Sequence, residues 1–218
     1  MSTRVLDVLL SGVALLCLLP VLVLIALVLS CSGEHEVFYR QDRVGRGGKS
    51  FGLLKFATML KDSPNLGSGL LTLKDDPRVL PFGRFLRRTK LNELPQLVNV
   101  LLGDMSLIGP RPQAPGHFEV FPAHVKAELV KVRPGLSGIG SIVFRDEESL
   151  LSVPGRDPER YYREVIAPYK GELELWFIRR RGLALYLKLI ALTIWVVVWP
   201  GRVPYRSIFP DLPEPVSE

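Results

Sequence analysis

The chain has 218 residues, of which 47% are hydrophobic and 23% are charged. This composition excludes an intrinsically disordered chain, and it is too polar for a transporter that crosses the membrane many times. The formal net charge of +6 suits nucleic acid, anionic lipid or a phosphorylated substrate, and charge alone does not choose among these partners.

An uncharged apolar run extends from Val8 to Gly33. A helix from Val8 to Leu29 would be roughly 33 Å long, close to the thickness of a bilayer. The run is long for a signal peptide, and no A-x-A cleavage site ends it. Pro20 would bend such a helix, and basic residues flank both ends, which favours a cytoplasmic location for both. The residues alone leave two alternatives open, a re-entrant helix kinked at Pro20 and a helix that spans the membrane.

The cysteines and histidines predict neither a disulfide framework nor a zinc site. Cys17 and Cys31 lie within or beside the apolar run, which is no disulfide framework and fits a reducing compartment. The histidines form no pattern with cysteine or paired carboxylates that is typical of a zinc site.

The segment after the apolar run predicts a β-hairpin. Alternation in "EVFYRQDRV" favours one strand, the glycines at 45, 47 and 48 favour a turn, and "SFGLLKF" favours a second strand. The basic turn suits phosphate or lipid headgroups, but it lacks the G-K-[ST] ending of a Walker loop.

Helical spacing of apolar residues returns between Phe82 and Leu102, and it predicts a helix with a basic face. This stretch contains Asn92 and Glu93, which are polar for a core helix. The loop "GPRP" follows and holds Arg111 between two prolines, so the backbone of an arginine that suits phosphate oxygens is restricted.

The rest of the chain predicts mostly helices. The acidic run at 146–148 favours a helix start, and it would supply a carboxylate if the fold brings it near the site. The pattern "YYREVIAPYKGELELWF" predicts an amphipathic helix interrupted at Pro168. The last apolar stretch contains Lys188, which would cost about 3 kcal/mol at the centre of a bilayer. We therefore expect an interfacial helix with Trp195 and Trp199 near headgroup level.

Four segments carry a resemblance to a known family. They are "RVLD" before the apolar run, "VFYRQDRVGRGGKSFGLLKFATM", "DDPRVLPFGRFLRRTKLNELPQLVNVLLGDMSLIGPRP" and "VRPGLSGIGSIVFR". In these segments the chain resembles the bacterial sugar transferases of the monotopic polyprenyl-phosphate phosphoglycosyl transferase family. With the C-terminal apolar helix, the resemblance covers nearly the whole chain.

The resemblance implies transfer of a phosphosugar from a UDP-sugar to undecaprenyl phosphate with release of UMP. Such a reaction starts a membrane-linked glycan such as an exopolysaccharide, a capsule or an O-antigen. The resemblance also implies a magnesium ion and a re-entrant helix broken at a proline, here Pro20. The family's Asp–Glu pair, whose aspartate is the nucleophile, falls on Asn92 and Glu93. Its phosphate-binding arginine falls on Arg111, and a basic residue before the pair falls on Arg87.

Asn92 is the main departure from the family pattern, because a neutral amide is a poor nucleophile and a poor magnesium ligand. Ala57 and Tyr186 are smaller departures. Several alternatives stay open: direct attack by the lipid phosphate, Glu93 as nucleophile, a carboxylate from the acidic run, or an aspartate changed deliberately to Asn92. A further alternative is an inactive relative that acts as a lipid- or partner-binding scaffold.

We predict a mixed α/β, helix-rich, monotopic membrane protein with interfacial amphipathic helices. Residues 1–33 form the Pro-broken re-entrant helix, and residues 34–218 form a cytoplasmic or interfacial transferase domain. The expected partners are a UDP-sugar, undecaprenyl phosphate and membrane lipids, with a second copy of the chain left open and nucleic acid excluded. The expected location is the cytoplasmic face of the bacterial inner membrane.

The predicted site combines catalysis, metal binding and phosphate binding. Asn92 and Glu93 are the predicted catalytic pair, and Glu93 is also the predicted ligand of Mg²⁺. We expect Arg87, Arg111 and Arg145 to contact the phosphates.

Overall fold

The computed structural model describes residues 3–67, 71–199, 203 and 205–215. Its α-helices are α1 (Thr3–Ser30), α2 (Pro81–Arg88), α3 (Gln96–Leu102), α4 (Pro115–Val120), α5 (Ala123–Leu129), α6 (Ile139–Val143), α7 (Glu147–Leu151), α8 (Pro158–Tyr161), α9 (Ala167–Arg180), α10 (Leu183–Val198) and α11 (Tyr205–Ile208). Its strands are β1 (Phe38–Val44), β2 (Ser50–Phe56), β3 (Ser106–Ile108) and β4 (Gly135–Ser137). Across these residues the architecture is a helix-rich α/β fold with two small sheets, which confirms the predicted class at that level.

Strands β1 and β2 form the predicted antiparallel hairpin, and β2 coincides with the segment "SFGLLKF". The turn between them contains Gly47 and Gly48, both with a φ of 73°, a conformation that favours glycine. Asn99 of α3 holds the hairpin in place. Its amide Nδ2 donates to the Gly52 carbonyl at 2.9 Å, and its Oδ1 accepts from the Leu54 N–H at 3.0 Å.

The second sheet is a parallel pair of short strands, with Ser106 opposite Gly135 in β3 and β4. The "GPRP" loop begins where β3 ends and lies directly against the start of β4. A Cβ atom added to Gly135 would come within 2.1 Å of the backbone nitrogen of Gly109, so the two chain segments approach as closely as glycine permits. This contact fixes the loop that carries Arg111.

The largest hydrophobic cluster lies where α9 and α10 pack against β3 and α6. Leu173 and Leu189 are completely buried in it, and the ring of Trp176 meets Phe209 edge to face at a centroid distance of 5.4 Å. A second cluster lies where α5 packs on α9, with Tyr162 and Ile166 buried beside them. The first cluster includes Ile108, the last residue before the loop that carries Arg111.

Helix α1 runs without interruption from Thr3 to Ser30, with Pro20 inside it, so the predicted break of the helix at Pro20 is not observed. Its first turns are attached to the body, because Arg4 donates to the carbonyls of Val100 and Leu101 at the end of α3 at 2.5 and 2.7 Å. Its last turns pack in a separate cluster of apolar residues, namely Ile25, Leu29, Phe56 and Leu86. Both ends of α1 therefore contact the same folded body.

The structure also shows which apolar surfaces stay uncovered. Helix α1 is long and apolar enough to cross a membrane by length and composition, and only 11% of its most apolar window is buried. Helix α10 is shorter and apolar, and it exposes Trp195 and Trp199, whose rings lie 5.5 Å apart. Arg202, one of the basic residues beyond α10, lies outside the described residues.

Two details of the helical prediction were wrong. The stretch from Phe82 to Leu102 is not one helix, because α2 ends before Lys90, whose φ of 61° is left-handed, and a 3₁₀ turn at Leu91–Glu93 precedes α3. Pro168 does not interrupt its helix, because it lies in the first turn of α9, where proline is tolerated. A π-helical turn at Tyr162–Ile166 joins α8 to α9 instead.

Candidate active site

One large cleft, with a volume of about 1520 Å³, lies between the hairpin, α2, the loop carrying Arg111 and the start of α7. The structure brings together all five residues that the sequence predicted for the site. Asn92, Glu93, Arg87, Arg111 and Arg145 all line this cleft. Pro20, predicted as a membrane kink and not as a site residue, is absent from the lining.

An ion pair between Glu93 and Arg111 occupies the cleft, with Arg111 Nη2 donating to Glu93 Oε1 at 3.0 Å. The 3₁₀ turn after Lys90 presents Glu93, and the loop after β3 presents Arg111. Burial raises the pKa of Glu93, but the charges of Arg111 and Lys55 and the hydrogen bond from Arg111 outweigh burial and lower that pKa to about 2. Glu93 is therefore a carboxylate at any physiological pH.

The backbone around Arg111 is held by hydrogen bonds on both sides. Glu174 of α9 accepts from the Arg111 N–H through Oε1 at 3.3 Å, and Gln113 Nε2 donates to the Arg111 carbonyl at 3.0 Å. The preceding Pro110 carbonyl accepts from the Gly135 N–H at 2.7 Å. These contacts, together with the two flanking prolines, restrict the arginine before any substrate arrives.

Asn92 lies beside the ion pair and is only 6% exposed. Its side-chain Oδ1 is buried and has no hydrogen-bond partner among the described residues, although buried amide oxygens are almost always paired. An unpaired oxygen in the cleft wall is free to accept from, or coordinate, a group that enters the cleft.

Among the further cations of the cleft lining, Lys55 and Arg43 were not selected by the sequence interpretation. Lys55 projects from β2, and burial together with the charge of Arg43 lowers its pKa to about 7. Arg43 of β1 donates to the Pro112 carbonyl at 3.1 Å, and burial and the charge of Arg111 lower its pKa to about 10. Lys55 in an otherwise apolar strand segment was the available sequence signal, because a lysine there must face a cleft or a partner.

The acidic run at 146–148 does reach the cleft, as the sequence prediction required. Glu148 pairs with Arg87, and Glu147 Oε2 accepts from Lys170 Nζ at 2.6 Å. Arg145 contributes a buried Nη1 with no hydrogen-bond partner within the described parts of the chain. The two glutamates of this run are therefore engaged with cations and Asp146 accepts from the Ser149 hydroxyl, while one arginine nitrogen is left for a ligand.

The cleft can bind a multiply charged anion. Its cations meet from four elements, namely Arg43 on β1, Lys55 on β2, Arg87 on α2 and Arg111 on the loop after β3. Such a set suits a pyrophosphate, because arginine forks and lysine charges match phosphate oxygens.

Comparisons with known proteins agree with this geometry. The family model described as bacterial sugar transferase matches residues 1–200. A UDP-glucose:undecaprenyl-phosphate glucose-1-phosphate transferase of Escherichia coli is 36% identical over 192 residues, which cover 87% of this chain and 38% of that protein. A protein of the same name from Caulobacter vibrioides is 39% identical over 143 residues, which cover 64% of this chain and 52% of the relative.

A third relative is closer to this chain in length. The exopolysaccharide production protein ExoY of Rhizobium meliloti is 36% identical over 163 residues, which cover 68% of this chain and 72% of ExoY. The chain thus spans 38% of the Escherichia coli relative but most of ExoY. The match over residues 1–200 leads to one conclusion: the chain belongs to the bacterial sugar transferase family.

Proposed function

We propose that this chain transfers a phosphosugar from a UDP-sugar to undecaprenyl phosphate and releases UMP, which initiates a membrane-linked glycan such as an exopolysaccharide. The observation that carries the proposal is the Glu93–Arg111 pair in a cleft lined by further cations, because phosphoryl transfer depends mainly on positioning and charge neutralisation. The names of the relatives support the reaction and give no support to the alternative of an inactive scaffold.

The reaction is direct attack on phosphorus. An oxygen of the lipid phosphate forms a bond to the donor phosphorus that carries the sugar. The bond from that phosphorus to the bridging oxygen breaks, and UMP leaves with the electron pair. Asn92 does not act as a nucleophile, because its amide is neutral, and Glu93 is already engaged by Arg111. Binding of donor and lipid together removes the need for a nucleophile from the protein.

Three arginines have roles in phosphate binding within this proposal. Arg111 neutralises charge on the transferred phosphoryl group, since its backbone is fixed and its guanidinium already lies in the cleft. Arg145 offers its unpaired nitrogen to a second phosphate. Arg87 becomes available when a phosphate displaces Glu148 from it.

Magnesium belongs to the same proposal. The described residues contain no group of three or more histidine, cysteine, aspartate or glutamate side chains arranged for a metal ion. Mg²⁺ is often bound through one or two carboxylates plus substrate phosphates, and the Glu93 carboxylate in the cleft fits that donor set. The ion, when bound with the donor, would neutralise charge on its phosphates. Glu93 is the residue that would hold it.

The same proposal places the protein on the cytoplasmic face of the bacterial inner membrane, with α1 as a re-entrant helix and α10 at the interface. The support is the attachment of both ends of α1 to one body, through Arg4 at its start and Leu29 near its end. A helix that crossed the bilayer would carry one end about 30 Å away from that polar body. The exposed Trp195 and Trp199 suit headgroup level.

The test is UMP release by the purified protein in nanodiscs with Mg²⁺ and a panel of UDP-sugars, with and without undecaprenyl phosphate. We expect UMP only when the lipid is present. A burst of UMP without lipid, equal to the amount of protein, would contradict direct attack and indicate a phosphosugar bound covalently to the chain. No UMP from any donor with lipid present would contradict the function itself.

We predict that Arg111→Ala lowers the rate of UMP release by about 100-fold or more, as loss of a single charge-stabilising donor does in other active sites. The matched control is Arg160→Ala, because the Arg160 side chain is 73% exposed and pairs with Glu164 on its own helical surface. Circular dichroism should show both variants folded. Equal rates for the two variants would remove Arg111 from the site.

A further inference from the structure

Two uncharged aromatic side chains form a distinct part of the cleft wall. The rings of His117 and Tyr162 lie 4.8 Å apart at an angle of 35°, and both residues line the cleft. Neither contributes to the ion pairs described above. The surrounding cations explain how a pyrophosphate would bind, but they do not explain this pair.

The fold places the two rings by different means. His117 lies on α4, which starts at Pro115 directly after the loop of Arg111. Tyr162 opens the π-helical turn at Tyr162–Ile166, and such turns occur often at functional sites because they redirect side chains. Tyr162 is only 2% exposed and belongs to the second hydrophobic cluster, so its ring is fixed.

The polar atoms of the pair are available. Within the described parts of the chain, neither the Tyr162 hydroxyl nor the His117 ring makes a hydrogen bond. Burial lowers the pKa of His117, so at neutral pH its ring has one nitrogen that donates and one that accepts. Burial also raises the pKa of Tyr162, so its hydroxyl keeps its proton. The pair thus offers neutral donors and acceptors.

Arg43 connects the ring pair to the phosphate-binding cations. Its guanidinium donates to the carbonyl of Pro112, next to Arg111, and its charge acts on both His117 and Tyr162. A donor whose pyrophosphate lies on Arg111 and Arg43 would therefore bring an adjoining, uncharged group against the rings.

The chemistry of that wall favours a sugar over a nucleobase. Tyr162 is only 2% exposed, with the His117 ring 4.8 Å and Lys170 Nζ 5.5 Å from its ring centroid, so little of its aromatic face is left for stacking of a base. What remains accessible are neutral groups that hydrogen-bond, and these match the hydroxyl groups of a sugar.

We propose that His117 and Tyr162 bind hydroxyl groups of the donor's sugar and thereby determine which sugar is transferred. This inference rests on the proposed function, because it assigns the sugar end of the same UDP-sugar. Tyr162→Phe removes one hydroxyl and keeps the ring packing, while His117→Ala removes the imidazole from a half-buried position.

The test measures binding of UDP-glucose, UDP-galactose, UDP-N-acetylglucosamine, UDP-N-acetylgalactosamine and UDP to the full chain in nanodiscs. We expect each substitution to weaken binding of the preferred UDP-sugar by about tenfold, the effect of losing one good hydrogen bond, and to leave UDP unchanged. The matched controls are Tyr161→Phe, one residue away on α8, and His124→Ala, whose side chain is 66% exposed.

The outcomes distinguish a failure of the sugar-binding assignment from a failure of the proposed transferase function. If the wild-type protein binds the UDP-sugar and UDP and both variants bind them equally well, the inference is wrong while the proposed function stands. Weaker binding of UDP as well as the UDP-sugar would assign the rings to the nucleotide and overturn the assignment to the sugar. A wild-type protein that binds neither ligand would overturn the proposed function and this inference together.

Discussion

Glu174 is a single residue that connects the hydrophobic core to the site. It is 4% exposed, its Oε1 accepts from the backbone of Arg111, and its Oε2 is buried with no hydrogen-bond partner among the described residues. Gly140 makes room for it, because a Cβ there would lie 2.4 Å from Oε1. Burial raises its pKa to about 7, against the opposing effects of the Arg111 backbone, Lys170 and Arg111.

This raised pKa predicts a pH-dependent stability. The folded state holds the Glu174 proton more tightly than the unfolded state does, so the stabilisation is complete below about pH 4.5 and is lost as the pH rises through about 7. Glu174→Gln keeps the hydrogen-bond acceptor and does not ionise. We therefore expect the melting temperature of this variant to depend less on pH between pH 5 and pH 8 than that of the wild type. Over this pH range the contribution of Glu174 to the free energy of unfolding should change by about 3 kcal/mol at most.

The measurement is the melting temperature of both proteins in the same detergent at each pH, with Glu36→Gln as the control. Glu36 is exposed and pairs with Lys61, so its substitution should leave the slope of the wild type nearly unchanged. Parallel curves for the wild type and Glu174→Gln would show that Glu174 does not titrate in this range.

For single residues, the sequence predicted the motif residues of the site but not the buried residues that surround and hold them. Asn92, Glu93 and Arg111 were selected because the resemblance marks them, and the structure places them in one cleft. Lys55 and Glu174 were missed because their importance depends on tertiary position. A glutamate in an amphipathic helix has no distinguishing local pattern, and a lysine among apolar strand residues indicates a cleft or a partner without showing which of the two it faces.

Among the elements, α1 has an unusual attachment. Asp7 lies near the start of the largely apolar helix α1 and is 1% exposed, and its Oδ1 accepts three hydrogen bonds. They come from Ser106 Oγ at 2.9 Å, the Leu107 N–H at 2.8 Å and the Tyr186 hydroxyl at 2.6 Å. The carboxylate thus joins α1 to β3 and α10. Tyr186, a departure from the family pattern, is one of its partners.

We predict that Asp7→Ala destabilises the protein by about 3 kcal/mol or more, since it leaves three buried donors without their acceptor. Tyr186→Phe removes only one of these bonds and should cost about 1 kcal/mol. The measurement is denaturant or thermal unfolding in detergent, combined as a double-mutant cycle. The control Asp62→Ala alters an exposed aspartate that bonds locally to Asn65.

A simple sum of the two single effects in the double variant would contradict a direct Asp7–Tyr186 bond. Coupling between them would show that α1 and α10 are held as one unit through this carboxylate.

The elements also show where local patterns succeed. The hairpin was predicted closely, because alternation and glycine in a turn are short-range signals that tertiary contacts reinforce. The helix expected from Phe82 to Leu102 was wrong, because its apolar spacing continues across a break that depends on the left-handed Lys90. Periodicity reports which face is buried, and it does not report whether the backbone continues as a helix.

At the scale of the whole molecule, the proposed function requires two exposed apolar surfaces and one polar cleft to be arranged relative to a membrane. The outer faces of α1 and α10 expose aliphatic and tryptophan side chains, for example Leu16 and Trp199. The cleft lies among charged residues of the body. In the proposed function the acceptor is a lipid phosphate, and a body that rests on one face of the bilayer would let that phosphate reach the cations without leaving its leaflet.

We predict that both ends of α1 are accessible from the cytoplasmic side only. The native Cys31, which follows α1 and is exposed, is one probe, and Thr3→Cys in a background lacking Cys17 and Cys31 is the other. A membrane-impermeant maleimide should label both in inside-out vesicles and neither in sealed right-side-out vesicles. Cys17, near the middle of the helix, should resist labelling in both kinds of vesicle until detergent is added, because the bilayer covers it.

If α1 spanned the membrane, position 3 and Cys31 would instead be labelled from opposite sides. The polar body could not then contact both Arg4 and Leu29 as it does here.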